Sequence, residues 1–108
     1  MRPLLLTGAS GFIGSRCLAL LSNNYDVLAI RRGPVPANSG RVRWARVNLL
    51  DQAAVRKLIQ LERPSLLLHA AWRPVIGDVM KSPENLDWVS ATLELAQAFR
   101  EAGENALR

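Results

Sequence analysis

Short apolar runs alternate with helically spaced apolar stripes along the 108 residues of this chain. Residues 2–7, Arg-Pro-Leu-Leu-Leu-Thr, are mostly apolar and stop at Gly8, which reads as a buried strand. From Phe12 to about Ser22, Ile13, Cys17, Leu18, Leu20 and Leu21 recur at helical spacing, with Cys17 on the inner side; Asn23-Asn24 ends the helix. Val27–Ile30 is apolar with β-branched ends, a second buried strand. Residues 33–40 hold two prolines and two glycines and read as loop, and Val42–Val47 alternates loosely with arginine as a third strand. Asp51 is placed to cap a helix over residues 52–61. Ala54, Val55, Leu58, Ile59 and Leu61 lie on one side of it, Arg56, Lys57 and Gln60 on another, and Arg63-Pro64 stops it. Leu66–Ala71 is a fourth strand, apolar except for His69, and residues 72–81 read as loop. Ser82-Pro83-Glu84 has the order of an N-cap, an N1 proline and an acidic first turn. The helix after it carries Leu86, Val89, Leu93, Ala96 and Phe99 on one stripe, with Gly103 as its stop.

The order β-α-β-β-α-β-α predicts an α/β fold: a Rossmann-like parallel sheet of about four strands with three flanking helices. A sheet of that size leaves an apolar edge open to water, which points to an incomplete domain. The length allows one domain, and no internal repeat or low-complexity segment divides it. One cysteine excludes a disulfide framework and a multi-cysteine zinc site. The longest unbroken apolar run, Cys17–Leu21, is far below the roughly 18 residues of a membrane span, and Leu4–Leu6 is too short for a secretory signal. The expectation is a cytoplasmic protein with no membrane partner.

Charge changes the picture. The net charge is +5, and residues 1–50 carry seven arginines against one acid, Asp26. Five of those arginines fall between Arg31 and Arg46. Such a cluster suits an anionic ligand, or is simply an arginine-rich surface.

The candidate chemistry lies at residues 7–14, Thr-Gly-Ala-Ser-Gly-Phe-Ile-Gly, between the first strand and the first helix. Gly8 allows a sharp turn off the strand, Gly11 clears the approach of a pyrophosphate to the main chain, and Gly14 lets the helix pack close. The helix then presents free N–H groups and its positive dipole end to the phosphates, with the Ser10 hydroxyl as a further donor. No Gly-Lys-Ser/Thr follows, which argues against a P-loop.

This turn strongly resembles the TGxxGxxG of the extended short-chain dehydrogenase/reductases, the NAD(P)-dependent epimerase/dehydratase group. Asn48-Leu49-Leu50-Asp51 is similar to the family's D-hydrophobic-x-D segment. Leu66-Leu67-Leu68-His69-Ala70-Ala71 is similar to its VIHLAA strand, with the histidine one place later, and Trp88–Gly103 to its NVxGTxxLLEAAxxxG helix. The resemblance implies a dinucleotide across the strand ends, its pyrophosphate held by Gly8, Gly11, Phe12, Ile13 and Gly14. Where NAD-preferring relatives carry an acid, this chain has Arg31 and then Arg32, which suit a 2′-phosphate; NADP is therefore expected, with NAD the alternative. Asn48 stands where the family has an aspartate facing the adenine amine, and Leu49 where a side chain packs on the adenine ring. Ala70, Ala71 and Trp72 fall on the nicotinamide side. Trp88 stands where many relatives have an asparagine. His69, inside an apolar strand, reads as a core histidine.

The resemblance also implies a Ser/Thr and a Tyr-x-x-x-Lys pair for proton transfer. The only tyrosine here is Tyr25, with Ala29 four places on, so that pair is absent and whether the chain is an enzyme stays open. The leading expectation is a partial NAD(P)-binding Rossmann domain over residues 1–108, the N-terminal portion of a nucleotide-sugar epimerase, dehydratase or reductase, without its catalytic and substrate parts. A nucleotide-sugar substrate and a homodimer then belong to a full-length form. The alternative is a stand-alone NADP-binding or sensing module. Nucleic-acid binding through Arg31–Arg46 is disfavoured, because Trp44 is the sole aromatic interleaved with the cluster.

Overall fold

In the computed structural model, which describes residues 2–71 and 84–106, strands and helices follow the expected order. They are β1 (Leu4–Thr7), α1 (Phe12–Leu21), β2 (Val27–Arg31), β3 (Val42–Arg46), α2 (Gln52–Glu62), β4 (Leu66–His69) and α3 (Glu84–Ala106). The four strands form one parallel sheet in the order β3-β2-β1-β4. Leu4 pairs with Val27 on one side and Leu66 on the other, and Thr7 with Ile30 and His69. The chain lays β2 and β3 to one side of β1 and then crosses back to place β4 on its other side. In open α/β sheets the crevice at such a reversal, beyond the carboxyl ends of the strands, is where ligands bind.

Residues alternate between the two faces of a strand, so the unbroken apolar runs of β1 and β2 bury both. Leu4, Leu6, Val27 and Ala29 pack with Ala9 against Leu18 and Leu21 of α1. Leu5, Leu28 and Ile30 pack on the opposite face with Val55 and Ile59 of α2 and Trp88, Leu95, Ala98 and Ala102 of α3. Each fully buried Leu or Ile contributes about 1.5–3 kcal/mol. The Asp51 carboxylate caps α2 by accepting from the Ala54 N–H at 3.2 Å, and Arg63 ends it in a left-handed conformation before Pro64. Arg56 of α2 reaches Glu94 and Glu101 of α3 at 3.0 and 2.9 Å. These half-exposed pairs, worth about 0–1 kcal/mol each, set the registry of the two helices more than their stability.

Three expectations are corrected. The buried stripe of α3 is Trp88, Ala91, Leu95, Ala98 and Ala102, whereas Leu86, Val89 and Leu93 are exposed. The two stripes are offset by two residues, about 200° around a helix, so the wrong face was read as inner. The alanines allow α3 to approach closely, a fit the larger side chains would prevent. Leu61 of α2 is 78% exposed, because the helix ends one residue later and nothing packs over that turn. Gly103 does not stop α3, which continues to Ala106; the residue lacks the positive φ of a left-handed cap. The expected Ser82-Pro83 start lies outside the described residues. Cys17 is half-buried.

β4 is an open edge. Leu66 and Leu68, on the α1 side of the sheet, remain exposed, as do Ile13 and Leu20 of α1. Among the described residues no helix is long and apolar enough to cross a membrane.

Candidate functional site

The three glycines after β1 do different things. Gly8 has φ +69°, and a Cβ there would lie 2.6 Å from the Ala71 nitrogen and 2.8 Å from the Ala70 oxygen. It therefore serves both the bend and a backbone-to-backbone contact with the end of β4. A Cβ on Gly14 would lie 1.8 Å from the Gly8 oxygen, so α1 seats directly on the bend. Gly11 is extended (φ −78°, ψ 177°) and is the N-cap of α1. Its N–H donates to the Gly8 oxygen at 3.0 Å, and an added Cβ would meet only that oxygen, at 3.3 Å. Gly11 thus leaves the outer side of the turn bare. No side chain caps α1, and the first N–H bonded inside the helix is that of Ser15, to Gly11. The N–H groups of Phe12, Ile13 and Gly14 are consequently the unsatisfied donors of this helix end.

A threonine fastens the turn to β4. Thr7 is fully buried, and its Oγ1 accepts from the Ala70 and Ala71 N–H groups at 3.0 and 3.2 Å. The same oxygen lies 2.6 Å from Nδ1 of His69. Nε2 of His69 lies 3.0 Å from Oγ1 of Thr92, whose hydroxyl donates to the Trp88 carbonyl at 2.8 Å. Burial holds the His69 ring below its ordinary proton affinity. Both ring nitrogens of His69 are thus hydrogen-bonded, but the residue is half-buried on an edge strand and not in the core that its place in an apolar run implied.

On the other side of β1, Arg31 ends β2 and Arg32 follows it. The Arg46 guanidinium donates to the Arg32 carbonyl at 3.1 Å, bracing that turn. The Arg31 guanidinium lies over Gly33, 3.7 Å from where a Cβ would stand, so the glycine gives it room. Asn48 Oδ1 accepts from the Leu50 N–H at 3.0 Å. This Asx turn uses one lone pair of the expected acceptor and leaves the second for a ligand. Leu49 is buried in the α2/α3 core, with its edge at the cleft.

These pieces meet along a cleft over the carboxyl ends of the strands. Gly8, Ser10, Gly11, Arg31, Arg32, Asn48, Leu49, Ala70 and Ala71, all anticipated from the sequence, line it. Gly14 acts from beneath, through the seat of α1. The Phe12 and Ile13 side chains do not join: Phe12 is 77% exposed beneath the Arg16 guanidinium, and Ile13 lines a separate groove beside β4. Trp72 lies outside the described residues. Three lining residues were not anticipated, Ile30, Val47 and Trp88. For Trp88 the signal was present, since it begins the stripe of α3 that turns inward. Among the described residues no cluster of metal ligands occurs.

A parallel sheet that reverses between β1 and β4, with a glycine bend delivering a helix N-terminus to that point, is a Rossmann-type fold. The chain belongs to the NAD dependent epimerase/dehydratase family, whose model matches residues 4–107. It is 30% identical to a UDP-glucose 4-epimerase of Rhizobium leguminosarum bv. trifolii over 95% of this chain and 33% of that protein. It is 27% identical to a UDP-glucose 4-epimerase of Schizosaccharomyces pombe over 90% of this chain and 31% of that protein. The Thermus thermophilus UDP-glucose 4-epimerase, solved in complex with NAD, superposes with a TM-score of 0.73 at 29% identity, over 95% of this chain and 35% of that one. The chain spans about a third of the length of these relatives.

Proposed function

We propose that this chain binds a nicotinamide dinucleotide and forms the cofactor-holding part of a nucleotide-sugar epimerase, dehydratase or reductase. The observation that carries the reading is the glycine turn. Three missing side chains bring a helix N-terminus with free N–H groups onto the reversal point of the sheet and leave its outer side bare. A pyrophosphate needs that surface. Gly8, Gly11 and the N–H groups of Phe12, Ile13 and Gly14 would hold it, with the Ser10 hydroxyl alongside. Asn48 and Leu49 would flank the adenine, and Ala70 and Ala71 would lie toward the nicotinamide. When bound, the dinucleotide supplies hydride chemistry; the residues here bind and orient it. Residues 1–108 would then be a partial Rossmann domain. The substrate class follows the relatives' names, and a full-length form, placed in the cytoplasm, would add the substrate part and a dimer contact. The sole tyrosine, Tyr25, precedes β2 at the end of the sheet away from the cleft, so no proton-transfer role falls to it.

The test is fluorescence titration of the folded chain with NADPH and NADH. Gly11→Val should weaken binding of both at least tenfold while leaving the circular dichroism unchanged, because its added atoms enter the bare side of the turn, where a pyrophosphate approaches within contact distance. Unaltered binding by the variant would remove the turn from the site.

The Thermus thermophilus relative was solved with NAD. In this chain Arg31 and Arg32 line the cleft where an acid would accept from a ribose 2′-hydroxyl, and arginine has no acceptor. The reading is therefore NADP over NAD. Arg31→Asp should shift the NADPH-to-NADH affinity ratio toward NADH by about 10- to 100-fold, the worth of a charge-assisted hydrogen bond. A ratio that stays constant would assign the 2′-phosphate to another residue.

A further inference from the structure

The polar thread through the base of the turn has a definite direction. Thr7 Oγ1 has two lone pairs and one hydrogen. The Ala70 and Ala71 N–H groups occupy both lone pairs, so the hydrogen goes to Nδ1 of His69. The ring is therefore a neutral imidazole with its proton on Nε2, which donates to Thr92 Oγ1; Thr92 in turn donates to the Trp88 carbonyl. Every donor in the thread has an acceptor, and the Ala70 N–H has a second one in the Thr7 carbonyl at 3.3 Å. At position 68 the ring would face α1; at position 69 it faces α3, where Thr92 stands.

Protonation breaks this arrangement. A cationic ring carries hydrogens on both nitrogens, and the one on Nδ1 faces an oxygen whose lone pairs are already filled. Either the ring swings away from Thr7 or one alanine N–H lets go. Gly8 packs against the backbone of those two alanines without room for a methyl group, so a shift at Ala70 or Ala71 reaches the bend directly. Among the described residues no carboxylate is hydrogen-bonded to the ring. The facing residue of β1 is Thr7, those of α3 are Thr92 and Trp88, and the titratable group from α1 is the Cys17 thiol, which shares a groove with His69. Glu94 and Glu101 of α3 are turned toward Arg56 on α2.

We propose that His69 is a positioning residue for the glycine turn. Its neutral ring, held between Thr92 and Thr7, keeps Ala70 and Ala71 braced behind the Gly8 bend, and protonation in mildly acid solution loosens the bend and weakens dinucleotide binding. The consequence for binding rests on the function proposed above; the state of the ring does not.

The test uses the 108-residue chain and NADH, which has no 2′-phosphate to titrate over the same range. The dissociation constant is expected to rise about tenfold between about pH 7.5 and about pH 5.5, as for coupling to one proton, with circular dichroism confirming that the chain stays folded. His69→Gln, uncharged throughout, should flatten that dependence whatever its absolute affinity. A flat wild-type profile, or an unchanged slope in His69→Gln, overturns the proposal. Imidazole 15N shifts provide the second measurement. The proton on Nε2 at neutral pH, with Gly8, Ala70 and Ala71 amide signals moving as the ring titrates, supports the positioning role. A proton on Nδ1, or a titration those amides do not register, overturns it. Failure to bind either NADH or NADPH at any pH would defeat the dinucleotide reading, while the 15N result would still decide the role of His69.

Discussion

Gly14→Ala should cost about 3 kcal/mol or more of folding stability, against a total of about 5–15 kcal/mol for an ordinary domain. The added carbon would stand 1.8 Å from the Gly8 carbonyl oxygen. Both sides of that clash are backbone, so no side chain can rotate away. Relief requires α1 to lift from the sheet, and lifting it uncovers Leu4, Leu6 and Ala29, which are buried beneath. Gly11→Ala supplies the control. Its Cβ meets a single oxygen at 3.3 Å, and its cost is about 1 kcal/mol or less, the difference between glycine and alanine at a helix N-cap. Urea unfolding of the two variants separates these cases. Equal midpoints would mean that α1 does not seat on the bend. The result also bears on function, because only the Gly11 position lies on the bare side where a phosphate group would approach.

Thr7→Val should destabilise the fold by about 3 kcal/mol although the shape of the side chain barely changes. The hydroxyl is fully buried and serves three partners: the Ala70 N–H, the Ala71 N–H and Nδ1 of His69. The Ala70 N–H has a second acceptor in the Thr7 carbonyl at 3.3 Å, so the loss falls mainly on Ala71 and His69. Thr7→Ser keeps the hydroxyl and loses one methyl group, for about 0.8 kcal/mol. A large gap between Val and Ser in thermal unfolding therefore measures the polar thread rather than packing. Similar melting of both variants would show that the thread carries no stability. The same thread gives a pH dependence of stability with a definite sign. Burial lowers the proton affinity of His69 in the folded chain below its ordinary value of 6.5. Above that value the ring is neutral folded and unfolded, and the full stability is present. As pH falls through it, the unfolded chain takes up a proton that the folded chain resists, and stability declines.

Much of the site is local in sequence, and was legible for that reason. The bend, the helix start and the seat of α1 all lie within Thr7–Gly14, where spacing alone fixes which residue meets which. Arg31, Arg32, Asn48 and Leu49 were placed by the resemblance of their segments to the family's, and the structure brings all four to the cleft. The Asp51 cap likewise needs only the Ala54 N–H three residues on. The misreadings share a different cause. α3 carries two apolar stripes on nearly opposite sides, and hydropathy favours the one with leucines. Packing chose the one with alanines, because close approach to the sheet and α2 matters more there than the size of the side chain. Trp88 was consequently missed as a lining residue. Leu61 was misplaced because helical spacing does not say where the neighbouring layer ends.

By itself the sequence determined the order of the elements, the parallel α/β sheet and the glycine turn with its flanking arginines. Periodicity, turn chemistry and short spacings are local properties, and they survive without knowledge of what packs where. Only the tertiary structure decided which face of α3 turns inward and which way the hydrogens run, from Thr7 through His69 and Thr92 to the Trp88 carbonyl. The bonded pairs among them are separated by up to 62 residues along the chain. Their hydrogen-bonding capacities become a single assignment only when the sheet register and α3 bring them within reach of one another.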